Sequence, residues 1–151
     1  MVARQDLLEL DPDLAKREFL PLYRRRLRSK KEDLEDEQNL AGAIWRVAQF
    51  QDLESLPQLR TLAESHRRSW IRMPAAVAIL MPEGRGQEIL ERLRAHDHDW
   101  TGWLAVAATL MRTPAATAAL EECAAHAPDE RCRRECEVRL KRMRPVRLFG
   151  N

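Results

Sequence analysis

Apolar residues in the middle of the chain fall three and four positions apart, the spacing of a helix that buries one face. Ile71, Ala75, Ala78 and Ile79 form one such stripe. Leu56, Leu59, Leu62 and Ala63 form another before it, and Ile89, Leu90 and Leu93, then Ala116, Ala119, Leu120 and Cys123, form two more after it. Polar breakers separate the stripes: QDLES at 51–55, PEGRG at 82–86 and RTP at 112–114. Ser55 ahead of Pro57, and Thr113 ahead of Pro114, have the chemistry of N-caps followed by proline in the first turn. Each breaker therefore predicts a turn between two helices.

The pattern repeats. SWIRMPAAVAILM at 69–81 returns as DWTGWLAVAATLM at 99–111. At this offset of 30, Trp70 falls on Trp100, Ala75 on Ala105, Leu80 on Leu110, Leu90 on Leu120 and His96 on His126. A weaker copy lies one period earlier, with Leu59 on Ile89 and His66 on His96. A fixed period of this length marks stacked units, none of which buries its stripe alone. The expectation is an all-α single domain over 1–151, a short solenoid of stacked helical hairpins with roughly seven to nine helices. Three repeats occupy 39–127, and Leu80, Leu90, Leu110 and Leu120 belong to the core.

The ends read as capping helices. An N-terminal cap covers 1–38, with Asp11 as N-cap, Pro12 at the first helical position and Pro21 expected to split or kink the helix. A C-terminal capping helix covers 128–144, with Cys132, Cys136, Val138, Leu140 and Met143 as its apolar positions, and 145–151 is a tail.

Composition agrees with helix: Gly numbers 5, Phe 3 and Tyr 1, against 4 Trp, and β-branched residues are sparse. The formal net charge of +2 describes no polycation. No apolar run approaches the roughly 20 residues of a membrane span, and the first residues lack the apolar core of a secretory signal. Three Cys, an odd number, argue against a disulfide framework. Together these predict a cytoplasmic protein with reduced thiols.

The segment AIWRVAQFQDLESLPQLRTLAESH, with Ala43, Val47, Asp52, Leu56, Leu59 and Leu62 in an AxxxLxxxxDxxxxxxLxxxL rhythm, resembles a short bacterial HEAT repeat of the phycobilisome-lyase type. The resemblance extends over about 39–127. It implies a right-handed α-solenoid that acts as a binding scaffold, and it carries over no catalytic residue.

Chemistry-bearing residues gather in four places. Cys123, His126, Cys132 and Cys136 have donor types suited to zinc, but Cys123 occupies the core position of Leu93, so no metal is expected there. His66, His96 and His126 recur at helix ends, where the expected role is capping. HDHD at 96–99 has metal-ligand types and reads as a loop. Arg24, Arg25 and Arg26, with Arg139, Lys141, Arg142 and Arg144, lie in two basic clusters that could meet phosphates if they shared a face.

Trp45, Trp70, Trp100 and Trp103 are many for so Phe-poor a chain. With Arg46, Arg68 and Arg72 they form the surface expected to bind another protein, because Trp and Arg dominate binding hot spots. No nucleophile–base pair, carboxylate pair, glycine-rich phosphate loop or cofactor fingerprint occurs. The expected function is a non-catalytic adaptor or regulatory protein, immunity-like or chaperone-like, that needs no cofactor. Nucleic-acid binding through the basic helices is the alternative.

Overall fold

A computed structural model describes residues 11–29 and 34–143, and over these residues the chain is helical without strands. The helices are α1 Pro12–Leu27, α2 Leu34–Gln49, α3 Leu56–Ser65, α4 Ser69–Ala78, α5 Gly86–Arg94, α6 Thr101–Met111, α7 Pro114–His126 and α8 Glu130–Met143. A single 3₁₀ turn, Leu53–Ser55, leads into α3. No described helix is long and apolar enough to cross a membrane.

The chain divides into two compact units, 1–84 and 85–151. In the first, α1 packs on α2, α2 on α4, and α3 on α4. In the second, α5 packs on α6 and α7, α6 on α7 and α8, and α7 on α8. The expected helices and turns are present, and α6 with α7 forms the helix pair expected of the third repeat. Packed partners α3 and α4 straddle the expected repeat boundary near 66–69, and the division after Gly84 falls inside the second repeat segment.

Alanine explains how short helices share a core. Ala43, Ala48, Ala75 and Ala78 are fully buried in the first unit, beside Ile44, Leu59 and Ile71. Ala105, Ala107, Ala108, Ala116 and Ala119 do the same in the second, beside Leu93, Leu104 and Leu120. Methyl-sized side chains let backbones approach, and each enclosed Leu or Ile contributes about 1.5–3 kcal/mol. Leu80 and Leu90 are buried as expected. Leu110 is only half-buried, because α6 ends one residue later and Arg112 turns the chain away at φ 53°. Gln51 and His96 take the same left-handed conformation after α2 and α5, a common helix ending.

Two caps form as expected: Asp11 Oδ1 accepts the Leu14 N–H at 3.0 Å, and Thr113 Oγ1 accepts the Ala116 N–H at 3.1 Å. Pro21 does not break α1, which runs through it. The proline is exposed, and Ala15, Leu20, Tyr23 and Leu27 are buried along the same helix, which offsets the ~3 kcal/mol cost of an interior proline.

Ser55 departs from expectation. Its hydroxyl donates to Asp52 Oδ2 at 2.6 Å instead of capping α3. Asp52 is nearly enclosed, and Arg24 of α1 grips it from two sides, Nε to Oδ2 at 2.8 Å and Nη2 to Oδ1 at 2.6 Å. Glu54 adds an exposed contact to the same guanidinium at 3.1 Å. Burial by itself would raise the Asp52 pKa, but the hydrogen bonds from Arg24 and Ser55 and the charge of Arg24 outweigh it and hold the carboxyl below its ordinary range. This interaction pins α1 to the turn after α2.

Leu120→Ala should cost about 2–5 kcal/mol, and Leu110→Ala about 1 kcal/mol, by urea unfolding. Arg24→Gln should cost about 2–3 kcal/mol, between the cost of an unsatisfied buried acceptor and that of a broken buried ion pair. Because the folded Asp52 pKa is depressed, its contribution is complete above the unfolded value of about 3.9 and is lost as pH falls through the lower folded value. Melting temperatures below about pH 4 should therefore fall more steeply in the wild type than in Arg24→Gln.

Candidate functional site

The closest gathering of chemically versatile side chains lies in the second unit, where the turn before α6 meets the first turn of α8. Asp129 stands just ahead of α8, and its Oδ1 accepts the Arg131 N–H at 2.7 Å. Its Oδ2 is hydrogen-bonded to Nδ1 of His98, in the turn between α5 and α6. Cys132, one turn into α8, is buried. Its thiol donates to Thr101 Oγ1 at 3.3 Å and lies 3.9 Å from the same His98 Nδ1. Thr101 is buried and donates to the Asp97 carbonyl at 2.7 Å, which fixes the turn that carries His98.

The ligand atoms of His98, Asp129 and Cys132 all lie within 4.8 Å of one another, the one such trio among the described residues. A cleft of about 330 Å³ adjoins them, lined also by Trp103, Val106, Glu135 and Arg139.

The Arg131 N–H, opposed by partial burial and aided by His98, holds the Asp129 carboxyl below its ordinary range. Arg139 is lowered by burial and by the like charge of Arg142, with Glu135 opposing, and its Nε is buried without a hydrogen-bond partner. One ring nitrogen of His98 faces both the thiol and the carboxylate. A nucleophile–base–acid relay needs the two nitrogens to face different partners, so this arrangement gathers donors around a point instead of passing a proton along a line.

Cys123, His126, Cys132 and Cys136, whose donor types suit zinc but where no metal is expected, are not brought together as one group. Cys132 belongs to the trio above, while Cys123 and Cys136 are enclosed in the α7–α8 core and His126 is exposed. Cys123 Sγ donates to the Cys132 carbonyl at 3.7 Å. The Cys123 sulfur, then burial, push the Cys136 thiol far above its ordinary range, so it stays a protonated core residue. The histidine column is not a set of equivalent caps. His66 Nδ1 accepts the Arg68 N–H at 3.0 Å, and His96 Nδ1 is buried without a partner.

Trp45, Trp70, Trp100 and Trp103 are all half-buried. Trp70 is the second residue of α4, whereas Trp100 precedes α6 and Trp45 lies in the later half of α2, so they do not share one helix position. The Arg92 guanidinium covers the Trp100 ring at 4.9 Å, and Trp103 faces the cleft. The expected arginine rim is engaged internally. Arg68 reaches the buried Glu37 at 3.6 Å, Arg72 donates to the His66 carbonyl at 2.5 Å, and Arg46 donates to Gln49 at 3.0 Å.

Of the basic clusters, Arg24 is committed to Asp52, and Arg26 lies 5.9 Å from the Tyr23 ring. Arg139 is half-buried at the cleft, while Arg25, Lys141 and Arg142 are exposed. Arg144 lies outside the described residues.

Compared with family models, curated proteins and solved structures, the chain has no match. Asp129 carried no signal beyond that of a residue ahead of a helix. Its pairing with His98 spans 31 positions and depends on how α6 packs against α8.

The cap is separable from the rest of the site. Asp129→Ala should destabilise the chain by about 1 kcal/mol. Asp129→Asn, which keeps the capping oxygen, should cost a few tenths at most in the same urea titration.

Proposed function

We propose that the chain is a non-catalytic binding scaffold of the HEAT-like, right-handed α-solenoid kind. In this reading it acts in the cytoplasm as an adaptor or as an immunity-like or chaperone-like regulator of another protein. The observation that carries the reading is that all four tryptophans keep part of their surface exposed. Large indoles held half-open on rigid helices are preorganised contact residues. In the first unit, Trp70 has Arg68 and Arg72 beside it in the chain, each steadied by a bond within the unit. Those bonds leave the guanidiniums positioned at little further entropic cost.

Nucleic-acid binding is less well supported, because Arg24 is spent on Asp52 and Arg139 is half-buried.

Affinity capture from the native host, read by mass spectrometry, should recover a partner with the wild type. Trp70→Ala or Trp100→Ala should lose it while retaining a melting temperature within a few degrees. A titration with a mixed-sequence DNA duplex at two salt concentrations supplies the opposing arm. Tight, steeply salt-dependent binding, abolished by charge reversal at Arg139, Lys141 and Arg142, would sink the scaffold reading.

A further inference from the structure

We propose that His98, Asp129 and Cys132 bind one zinc-like divalent transition-metal ion, with a remaining coordination position open to the adjoining cleft. The assignment does not rest on the binding role given to the tryptophans, of which Trp103 borders the same cleft.

The donor set is one sulfur, one imidazole nitrogen and one carboxylate oxygen. Zinc takes all three donor types, whereas a thiolate ligand disfavours magnesium and calcium. Tetrahedral zinc, with bonds of about 2.3 Å to sulfur and 2.0 Å to nitrogen, would hold those two atoms about 3.5 Å apart. Here Cys132 Sγ and His98 Nδ1 are 3.9 Å apart. The His98–Asp129 contact opens and the thiol gives up its hydrogen bond to Thr101 to admit the ion, exchanging two hydrogen bonds for three metal bonds. His98 is the member free to make that movement, since its side chain is 52% exposed and lies in an interhelical turn.

The surroundings support the ligands as a metal's outer shell does. Asp129 Oδ1 is occupied by the Arg131 N–H, which fixes the carboxylate and leaves Oδ2 for the ion. Thr101 anchors the turn of His98 by donating to the Asp97 carbonyl. Binding expels the thiol proton to solvent, and the proton on His98 Nδ1 is exchanged through solvent to Nε2, which leaves thiolate, carboxylate and neutral imidazole on the metal. Three protein ligands leave a fourth position. The cleft beside it, lined by Trp103, Glu135 and Arg139, has room for water or a small anionic group.

The test uses the full chain, freed of metal, titrated with cobalt(II) and then zinc. One equivalent of cobalt should produce a thiolate-to-metal charge-transfer absorption, and one equivalent of zinc should erase it. Cys132→Ser should abolish the band. His98→Gln and Asp129→Asn sit at the surface and keep the cap, so far-UV circular dichroism should be unchanged. Each should weaken zinc at least about a hundredfold, beyond the 10–100-fold of outer-shell changes. A cobalt band that survives Cys132→Ser, absence of any band at several equivalents, or wild-type zinc affinity in both surface variants would overturn the assignment.

Discussion

Helices of nine and ten residues, such as α5 and α3, are too short to persist in water by themselves. Each must cover its apolar stripe with neighbours, and the enclosed alanines let several helices do so at once. This constraint directs the rest of the structure. Core surfaces are filled by aliphatic groups and methyls, so polar chemistry is pushed to the helix ends and the turns between them. Two places where charge is held at close quarters, around Asp52 and around Asp129, lie in such turns, and a third, the buried Glu37, lies in the first turn of α2.

These two aspartates show how one carboxylate can serve two segments. Asp52 gives one oxygen to Arg24 alone and the other to Arg24 and Ser55, joining α1 to the turn after α2. Asp129 divides its oxygens between the start of α8 and the imidazole of His98. The first carboxylate is nearly enclosed and fully satisfied, so it is structural. The second is half-open beside a cleft, and its outward oxygen faces groups able to change partners. Burial, more than residue type, separates a joint from a site.

Much of the helical plan was legible in the chain. The stripes, the breakers at 51–55, 82–86 and 112–114, and the caps at Asp11 and Thr113 are local, and local rules describe them. Ser55 misled because a hydroxyl chooses between a helix end and a nearby carboxylate, and Asp52 was the stronger acceptor. Pro21 misled because tertiary packing of α1 outweighed a local penalty. The site was half legible. Cys132 and the HDHD segment were noticed for their metal-ligand chemistry, but spacing joined Cys132 to Cys123, His126 and Cys136, its neighbours along the chain. Its neighbours in space are His98 and Asp129, and only the packing of α6 against α8 brings the three together.

All three cysteines lie on α7 and α8, which gives the chain an asymmetric chemical record of its own breathing. A thiol-reactive reagent added to the folded protein has nothing to modify in residues 1–84, and meets only sealed sulfurs in the second unit. Cys123 and Cys136 become modifiable only when α7 and α8 part, so the rate at those two sulfurs counts such openings, whereas Cys132 answers to movements of His98 and the turn before α6. The same seclusion shields Cys123 and Cys136 from oxidants for as long as that pair of helices stays closed.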